Sequence, residues 1–345
     1  MELSDREKTI LRNIIHQFVL TANPVASRYI AKRYDLGLSP ATIRNIMADL
    51  EEAGFLNHPH TSAGRIPTDK GYRVYVDSLM DPPKLRKEDK DIISRELKAF
   101  TDETDELLKI TATILSDITS QLALVTYPKM DMGILEKLQI VQLTSSRILV
   151  VVSIKSGLIK TITLELNAEI DTSHIITIQN LLNERLSGLT FAEIRRTFSE
   201  RFKDVSDTYK PIIRVFLDSA DRIFTDMKGA DNVLVTGAKN IVRQPEFEKH
   251  EHLQGVIELM EDKDVIVHFM SDSAQKKEDD VVIRIGSENN SKLFSDYSVI
   301  TKDYKIGEVS GTIGVVGPKR MHYSRIIAVV VYVAEVLSEY MRKNP

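Results

Sequence analysis

The stretch that most narrows how this chain can fold is SPATIRNIMADLEEAGFLNHPHTSAGRIPT, Ser39 to Thr68. Its first half specifies a helix from both ends. The Ser39 hydroxyl can accept a bond from a first-turn N–H that has no partner within the helix. Pro40 suits the first helical position, where its missing N–H costs nothing. Ile43, Ile46, Met47 and Leu50 then recur at i, i+3, i+4 and i+7, a single stripe to bury. Gly54 stands where a left-handed residue ends such a helix.

The opposite face carries Ala41, Thr42, Arg44, Asn45 and Ala48. Small residues permit close approach, and Arg and Asn are the side chains that pair with guanine and adenine edges. Asp49, Glu51 and Glu52 sit at the far end, where they would not press on phosphates. Beyond Gly54, Phe55-Leu56 and Ile66-Pro67-Thr68 flank a Pro/His/Ser/Gly segment, so we expect a strand–loop–strand hairpin, a wing, with Arg65 near its tip. A small-faced helix followed by a basic wing is suited to reading DNA. An ordinary surface helix beside a solvated arginine satisfies the same spacing.

The preceding sequence favours the first reading. Ser4 and Glu7 form a capping box, and Ile10, Leu11, Ile14, Ile15, Phe18 and Val19 line one face of the helix they open. Asn23-Pro24 ends it. A second helix follows, with Val25, Tyr29 and Ile30 apolar and Arg28, Lys32 and Arg33 polar; Asp35-Leu36-Gly37-Leu38 then turns into the Ser39 helix. Helix, turn, helix and wing make a winged helix-turn-helix. Lys32 and Arg33 would lie near phosphates, although such pairs are as often merely solvated. Residues 1–76 hold ten basic and eight acidic side chains, a balance of +2, which leaves −6 of the net −4 for the remainder. A weakly basic reading head on an acidic body needs two heads acting together for useful occupancy of DNA.

Thr68–Val76 returns to an amphipathic, helical element in which Tyr72 and Tyr75 are packing residues rather than base-stacking ones. Asp81-Pro82-Pro83 stiffens a linker. A long helix is expected from about Arg86 to Leu124, with Leu107, Ile110, Ile114 and Ile118 on one face. Strands follow at Leu138–Leu143, Arg147–Ile154 and Leu158–Leu166, then helices at Thr172–Leu186, Thr190–Arg201 and Tyr209–Met227. These helices are dense in apolar residues. Most must be core, but Ile175, Ile178, Leu182, Phe198, Phe202 and Phe216 are candidates for a self-complementary dimer face. Residues 232–345 read as a second α+β unit: a helix at Glu246–Leu259, strands at Val265–Phe269, Val281–Ile285, Tyr297–Ile300 and Ile306–Val316, and a closing helix at Arg320–Tyr340. This unit should pack with the helix near Glu106–Leu122, which makes 136–229 an insertion within it.

Several chemistries find no support. The chain has no cysteine, so disulfides, thiolate zinc sites and cysteine nucleophiles are excluded. Gly311, Gly314 and Gly317 match neither a Walker loop nor a dinucleotide fingerprint and read as a glycine-bearing strand. The His58/His60 and His250/His252 pairs lack convergent carboxylates for a metal. No catalytic set and no cofactor site are read. The apolar run near the C-terminus is broken by Glu335 and too short to span a bilayer, and the charged N-terminus is unlike a signal peptide, so a soluble, cytoplasmic protein is expected.

Thr42-Ile43-Arg44-Asn45-Ile46-Met47-Ala48-Asp49-Leu50-Glu51, the stretch His60-Thr61-Ser62-Ala63-Gly64-Arg65-Ile66-Pro67-Thr68-Asp69-Lys70-Gly71-Tyr72-Arg73, and Ile313–Ser324 together resemble the HrcA family of bacterial heat-inducible transcription repressors over essentially the whole chain. The resemblance implies an α+β multidomain protein. Residues 1–80 would form a winged-helix DNA-binding domain, 81–135 a linker and the first part of a GAF-like domain, 136–229 an inserted dimerisation domain, and 230–345 the rest of the GAF-like domain. It also implies a homodimer on an inverted-repeat operator (the CIRCE element) ahead of chaperone genes. The GroEL chaperonin would support repression, which lapses when heat-damaged proteins occupy the chaperonin. On this sequence Arg44 and Asn45 would read bases, with Ser39, Ala41, Thr42 and Ala48 around them. Arg65, His60, Thr61, Ser62 and Gly64 would anchor the wing, and Lys32 and Arg33 the backbone. The rival expectation is a regulator whose GAF-like domain senses a small molecule; an enzyme with an accessory DNA-binding domain is weaker.

Overall fold

The computed structural model describes residues 3–59, 64–98, 104–166, 172–225, 232–247, 257, 266, 270, 280–290 and 294–343. It is a mixed α+β fold with antiparallel sheets.

The N-terminal part is built from α1 (Asp5–Thr21), α2 (Ser27–Arg33) and α3 (Pro40–Glu52), followed by the short strands β1 (Leu56–Asn57) and β2 (Ile66–Pro67). The Ser4–Glu7 capping box opens α1, and Ala22 closes it in the left-handed conformation at φ 55°. Ile10, Ile14, Ile15, Ile30, Ile43 and Leu50 are wholly buried between the three helices. Next, α4 (Asp69–Val74) runs into a π-helical turn, Tyr75–Leu79, and leads away from this part. Tyr72 is buried and Tyr75 half-buried, as their packing role requires.

A single helix over Arg86–Leu124 is not what forms. The segment divides into α5 (Lys87–Lys98), α6 (Thr104–Thr119) and β3 (Leu122–Thr126). Ser120 takes φ 55°, which ends α6 and turns the chain into the strand. β3 lies inside a five-stranded sheet ordered β7 (Val233–Thr236), β3, β10 (Val309–Pro318), β9 (Tyr297–Ile306) and β8 (Val282–Ile285). A strand covered on both faces has no alternation, so Leu122–Val125 reads as apolar continuation of the helix. The hairpin turn at Gly307, φ 56°, also corrects the last expected strand, which starts at Val309 rather than Ile306. On one face lie α5, α6 and the C-terminal helix α12 (Tyr323–Lys343). The other face holds Leu122, Leu124, Phe294, Tyr297, Val299 and Val316. A short helix, α11 (Ala238–Val242), follows β7. Most of the expected helix Glu246–Leu259 and strand Val265–Phe269 lies outside the described residues, but Ile266 is helical rather than extended.

Between the neighbouring strands β3 and β7 the chain makes a separate three-stranded sheet, β4 (Leu135–Thr144), β5 (Arg147–Ile154) and β6 (Ile159–Glu165). Helices α7 (Thr172–Leu186), α8 (Phe191–Arg201), α9 (Lys210–Asp218) and α10 (Ala220–Ile223) follow, the last expected helix being broken at Ser219. Asn183 and Gln179 of α7 bond the backbone of edge strand β4 at Leu138 and Ile140, at 2.7 and 2.8 Å. This satisfies groups that an open edge would leave free. The six residues expected to offer a dimer face are core instead: Ile175, Ile178, Leu182, Phe198, Phe202 and Phe216 are all at most 6% exposed. The helices cover one another, with Phe198 stacked on Phe202 at 4.7 Å and Phe191 edge-on to Phe224 at 5.4 Å. Apolar side chains stay exposed at Val141, Leu143 and Ile159 on the sheet and at Ile176 on α7. The strand register aligns Val141 with Leu149 and Thr163, and Gln139 with Val151 and Thr161, on the sheet face opposite Leu138, Val150 and Val152.

Candidate nucleic-acid interface

Helix α3 begins as its sequence dictates. The Thr42 amide donates to Ser39 Oγ at 3.1 Å, and the two hydroxyls lie 2.9 Å apart. Ile43, Met47 and Leu50 are buried, so the other side must face outward. Ala41, Thr42, Arg44, Asn45 and Ala48 are all exposed. Among the described residues, Arg44 and Asn45 have no side-chain partner, and both offer their donors to solvent. Lys32 and Arg33 are exposed in the last turn of α2, where their charges also complement the helix dipole.

The hairpin differs from expectation at Arg65. Its backbone forms a two-way bridge with Val25, each hydrogen bond 2.9 Å, immediately before β2. Arg65 therefore stands at the stem of the hairpin rather than near its tip. Its Nε lies 2.6 Å from Glu51 Oε2, and the side chain is 24% exposed. His58 contacts the other oxygen of Glu51. One carboxylate on α3 thus holds both arms of the hairpin, a tertiary pairing that sequence spacing does not reveal. Gly64 makes this possible: a Cβ there would lie 2.5 Å from the Val25 carbonyl carbon. His60, Thr61 and Ser62 lie outside the described residues.

The second half of the same motif serves a joint with the five-stranded sheet. Thr68 caps α4 by accepting from Gly71 N at 3.1 Å and donates to Gly54 O at 2.7 Å. Gly71 lies against the Phe55 carbonyl, leaving no room for a Cβ. Tyr72 packs 6.0 Å from Tyr323 of α12, ring centre to ring centre. Asp69 accepts from Ser287 N at 2.9 Å and pairs with Lys319 at 2.8 Å. Arg73 donates to Glu288 Oε1 at 2.8 Å and to Ile283 O at 2.7 Å. Burial pushes the Asp69 and Glu288 carboxyls up. The hydrogen bonds and charges of Lys319 and Ser287 for Asp69, and of Arg73 and Ile285 for Glu288, outweigh it and hold both below the usual range. Sequence reasoning passed over Asp69 and Arg73. The available signal was their i, i+4 spacing beside a buried tyrosine.

Among the described residues no group of His, Asp or Glu is arranged to hold a metal ion, and no helix is long and apolar enough to cross a membrane. His58 is taken by Glu51, and His250 and His252 lie outside the described residues. Gly311, Gly314 and Gly317 lie within β10, against Tyr304, the Ile300–Thr301 backbone and Gln121.

Comparison with known proteins gives consistent results. The family model described as HrcA protein C terminal domain matches residues 105–327. The heat-inducible transcription repressor HrcA of Chlorobium phaeobacteroides strain BS1 is 42% identical over 98% of each chain. That of Prosthecochloris aestuarii is 42% identical over 98% of this chain and 97% of its own. A crystal structure of a hypothetical protein aligns over the full length of both chains, with 22% identity and a TM-score of 0.63, a likeness of fold.

Proposed function

This chain belongs to the HrcA family of heat-inducible transcription repressors, and we propose that it represses as a homodimer by setting two α3 helices into successive major grooves of an inverted-repeat operator. The observation that carries this reading is the exposed, unpaired Arg44 and Asn45 on a capped helix whose other side is fully buried. Such a helix presents bidentate donors from a rigid support. Residues 1–80 act as a winged-helix head, 81–135 and 230–345 as a GAF-like body, and 136–229 as an inserted dimerisation domain. Lys32 and Arg33 meet phosphates. Arg65 and Gly64 hold the hairpin stem, while His60, Thr61 and Ser62 carry the wing to the duplex.

The dimer contact is assigned to the outer face of β4–β6, where Val141 and Ile159 are 47% and 68% exposed. Burying such a face against its copy removes apolar area from water without opening the helical core. By family resemblance the GroEL chaperonin is the partner that keeps the repressor active, in the cytoplasm.

The test is titration of fluorescent duplexes with the purified chain. An inverted repeat should bind more tightly than random duplex, and Arg44→Ala should cost about 1–3 kcal/mol and relax choice at one base position. Equal binding of wild type and Arg44→Ala to the inverted repeat removes Arg44 from the reading set. No preference for the repeat overturns the proposal.

A further inference from the structure

A solvent-open cavity of about 440 Å³ lies between the C-terminal end of α6, the segment after α11 and the start of α12. No residue of α3 or of the sheet face assigned to the dimer lines it. Its size is that of a small-molecule site, and its polar lining holds three arginines and a histidine, Arg243, Arg320, Arg325 and His322, with no acidic residue among the described ones. Two of the arginines are partly committed. Arg320 pairs with Glu246 and donates to Val19 O at 2.7 Å in the last turn of α1. Arg325 donates Nε and Nη2 to Asp89 at 3.3 and 3.2 Å, which leaves Nη1 without a partner. Three guanidinium groups face two carboxylates, and Arg243 and the His322 ring have no partner among the described residues. Gln121 and Gln244, bonded to each other at 3.1 Å, form a polar wall, and Ile326 and Val329 an apolar one.

We infer that this cavity binds a small molecule through an oxyanion, phosphate or carboxylate, held by Arg243, His322 and Nη1 of Arg325. An oxyanion accepts several charge-assisted hydrogen bonds at once, which is what converging, uncommitted N–H donors supply. The imidazole reports occupancy. Burial lowers the His322 pKa, and the neighbouring side chains of His16, Arg320, Arg325 and Arg86 lower it further. The other charged groups at the cavity are Arg243 in its lining and the paired carboxylates Glu246 and Asp89. An anion among these groups stabilises the imidazolium and moves the pKa upward. Arg320 links the cavity to α1, so an occupant sits one side chain from the N-terminal helices.

The experiment uses the full chain and follows the His322 ring proton by NMR, assigned with His322→Gln. Inorganic phosphate and, separately, citrate are titrated against sodium chloride at matched ionic strength. The expected result is a saturable shift with one or both anions, an upward move of the His322 pKa by half a unit or more, and at least a tenfold loss of affinity in Arg243→Gln. Arg243 is exposed and has no partner among the described residues, so that variant keeps the wild-type far-ultraviolet circular dichroism. A shift no larger than that from chloride, or one unchanged in Arg243→Gln, overturns the site.

Discussion

Arg73→Ala should loosen the joint between the N-terminal part and the five-stranded sheet. The substitution removes the Glu288 pair, the bond to Ile283 O and an i, i+4 pair with Asp77. Breaking a fully buried pair costs about 3–5 kcal/mol, and an exposed one contributes about 0–1 kcal/mol. Side-chain exposures of 29% and 34% for Arg73 and Glu288 put this pair between those limits, near 2 kcal/mol. The Asp77 pair, with its partner 54% exposed, adds little. The lost bond to a backbone carbonyl adds about 1 kcal/mol. We therefore expect a total of about 2–3 kcal/mol, and a coupling of about 1–2 kcal/mol in a cycle with Glu288→Ala.

Urea unfolding followed by tyrosine fluorescence suits the measurement, because the chain has no tryptophan and Tyr72 and Tyr323 meet at the joint. The sign of the pH effect follows from the Glu288 carboxylate. Arg73→Ala leaves Asp69 paired with Lys319 but strips Glu288 of its cation, so what separates the two chains is the Glu288 contribution, present above the ordinary carboxylate pKa and lost as pH falls through the lower folded one. The wild-type excess over Arg73→Ala should accordingly shrink below about pH 4. A coupling under about 0.5 kcal/mol at pH 7, or an excess that persists unchanged at pH 3, would refute the clamp.

Other substitutions test separate parts of the fold. Gly64→Ala forces a Cβ onto the Val25 backbone, 2.5 Å from its carbonyl carbon, and should cost about 2–4 kcal/mol through overpacking and loss of the two Val25–Arg65 hydrogen bonds; urea unfolding checks it, and a cost under about 1 kcal/mol means that the hairpin is free to move. The double substitution Val141→Lys with Ile159→Lys places charges on the outer face of β4–β6 and should shift the chain to monomer in analytical ultracentrifugation with its circular dichroism unchanged. A dimer that survives both changes places the contact elsewhere.

How much of this was legible in the sequence depends on whether the cause of a feature is local. Helix α3 was readable because Ser39, Pro40 and the Ile43–Leu50 stripe act within two or three turns. β5 and α7 were readable for the same reason, β5 as a β-branched run between the Thr144–Ser146 and Lys155–Gly157 turns and α7 by helical period. Strand β3 was not, since its sheet neighbours β7 and β10 come from far along the chain and bury both its faces. The surplus of apolar residues in α7–α9 was misjudged because their number does not reveal how the helices wrap; Phe216 and Ile178 are wholly buried without a second copy.

The motif from His60 to Arg73 carries the sharpest lesson about the site. Its described residues are chiefly architectural: Gly64 admits the Val25 backbone, Arg65 pairs with Glu51, Thr68 caps α4, Gly71 clears the Phe55 carbonyl, and Asp69 and Arg73 grip the sheet. Among the described residues, the motif's side chains serve the hairpin and the joint. Side chains already committed to carboxylates inside the chain must give up those partners before they can bind phosphate, and that cost lowers what they contribute to affinity. Arg44 and Asn45 give up nothing but water. Base discrimination should accordingly follow substitutions on α3, while substitutions at Arg65 should act first on the hairpin and only through it on DNA. Arg65→Ala would then weaken binding to all sequences alike and lower stability together, and a variant that changed base preference while keeping full stability would reverse this division of roles.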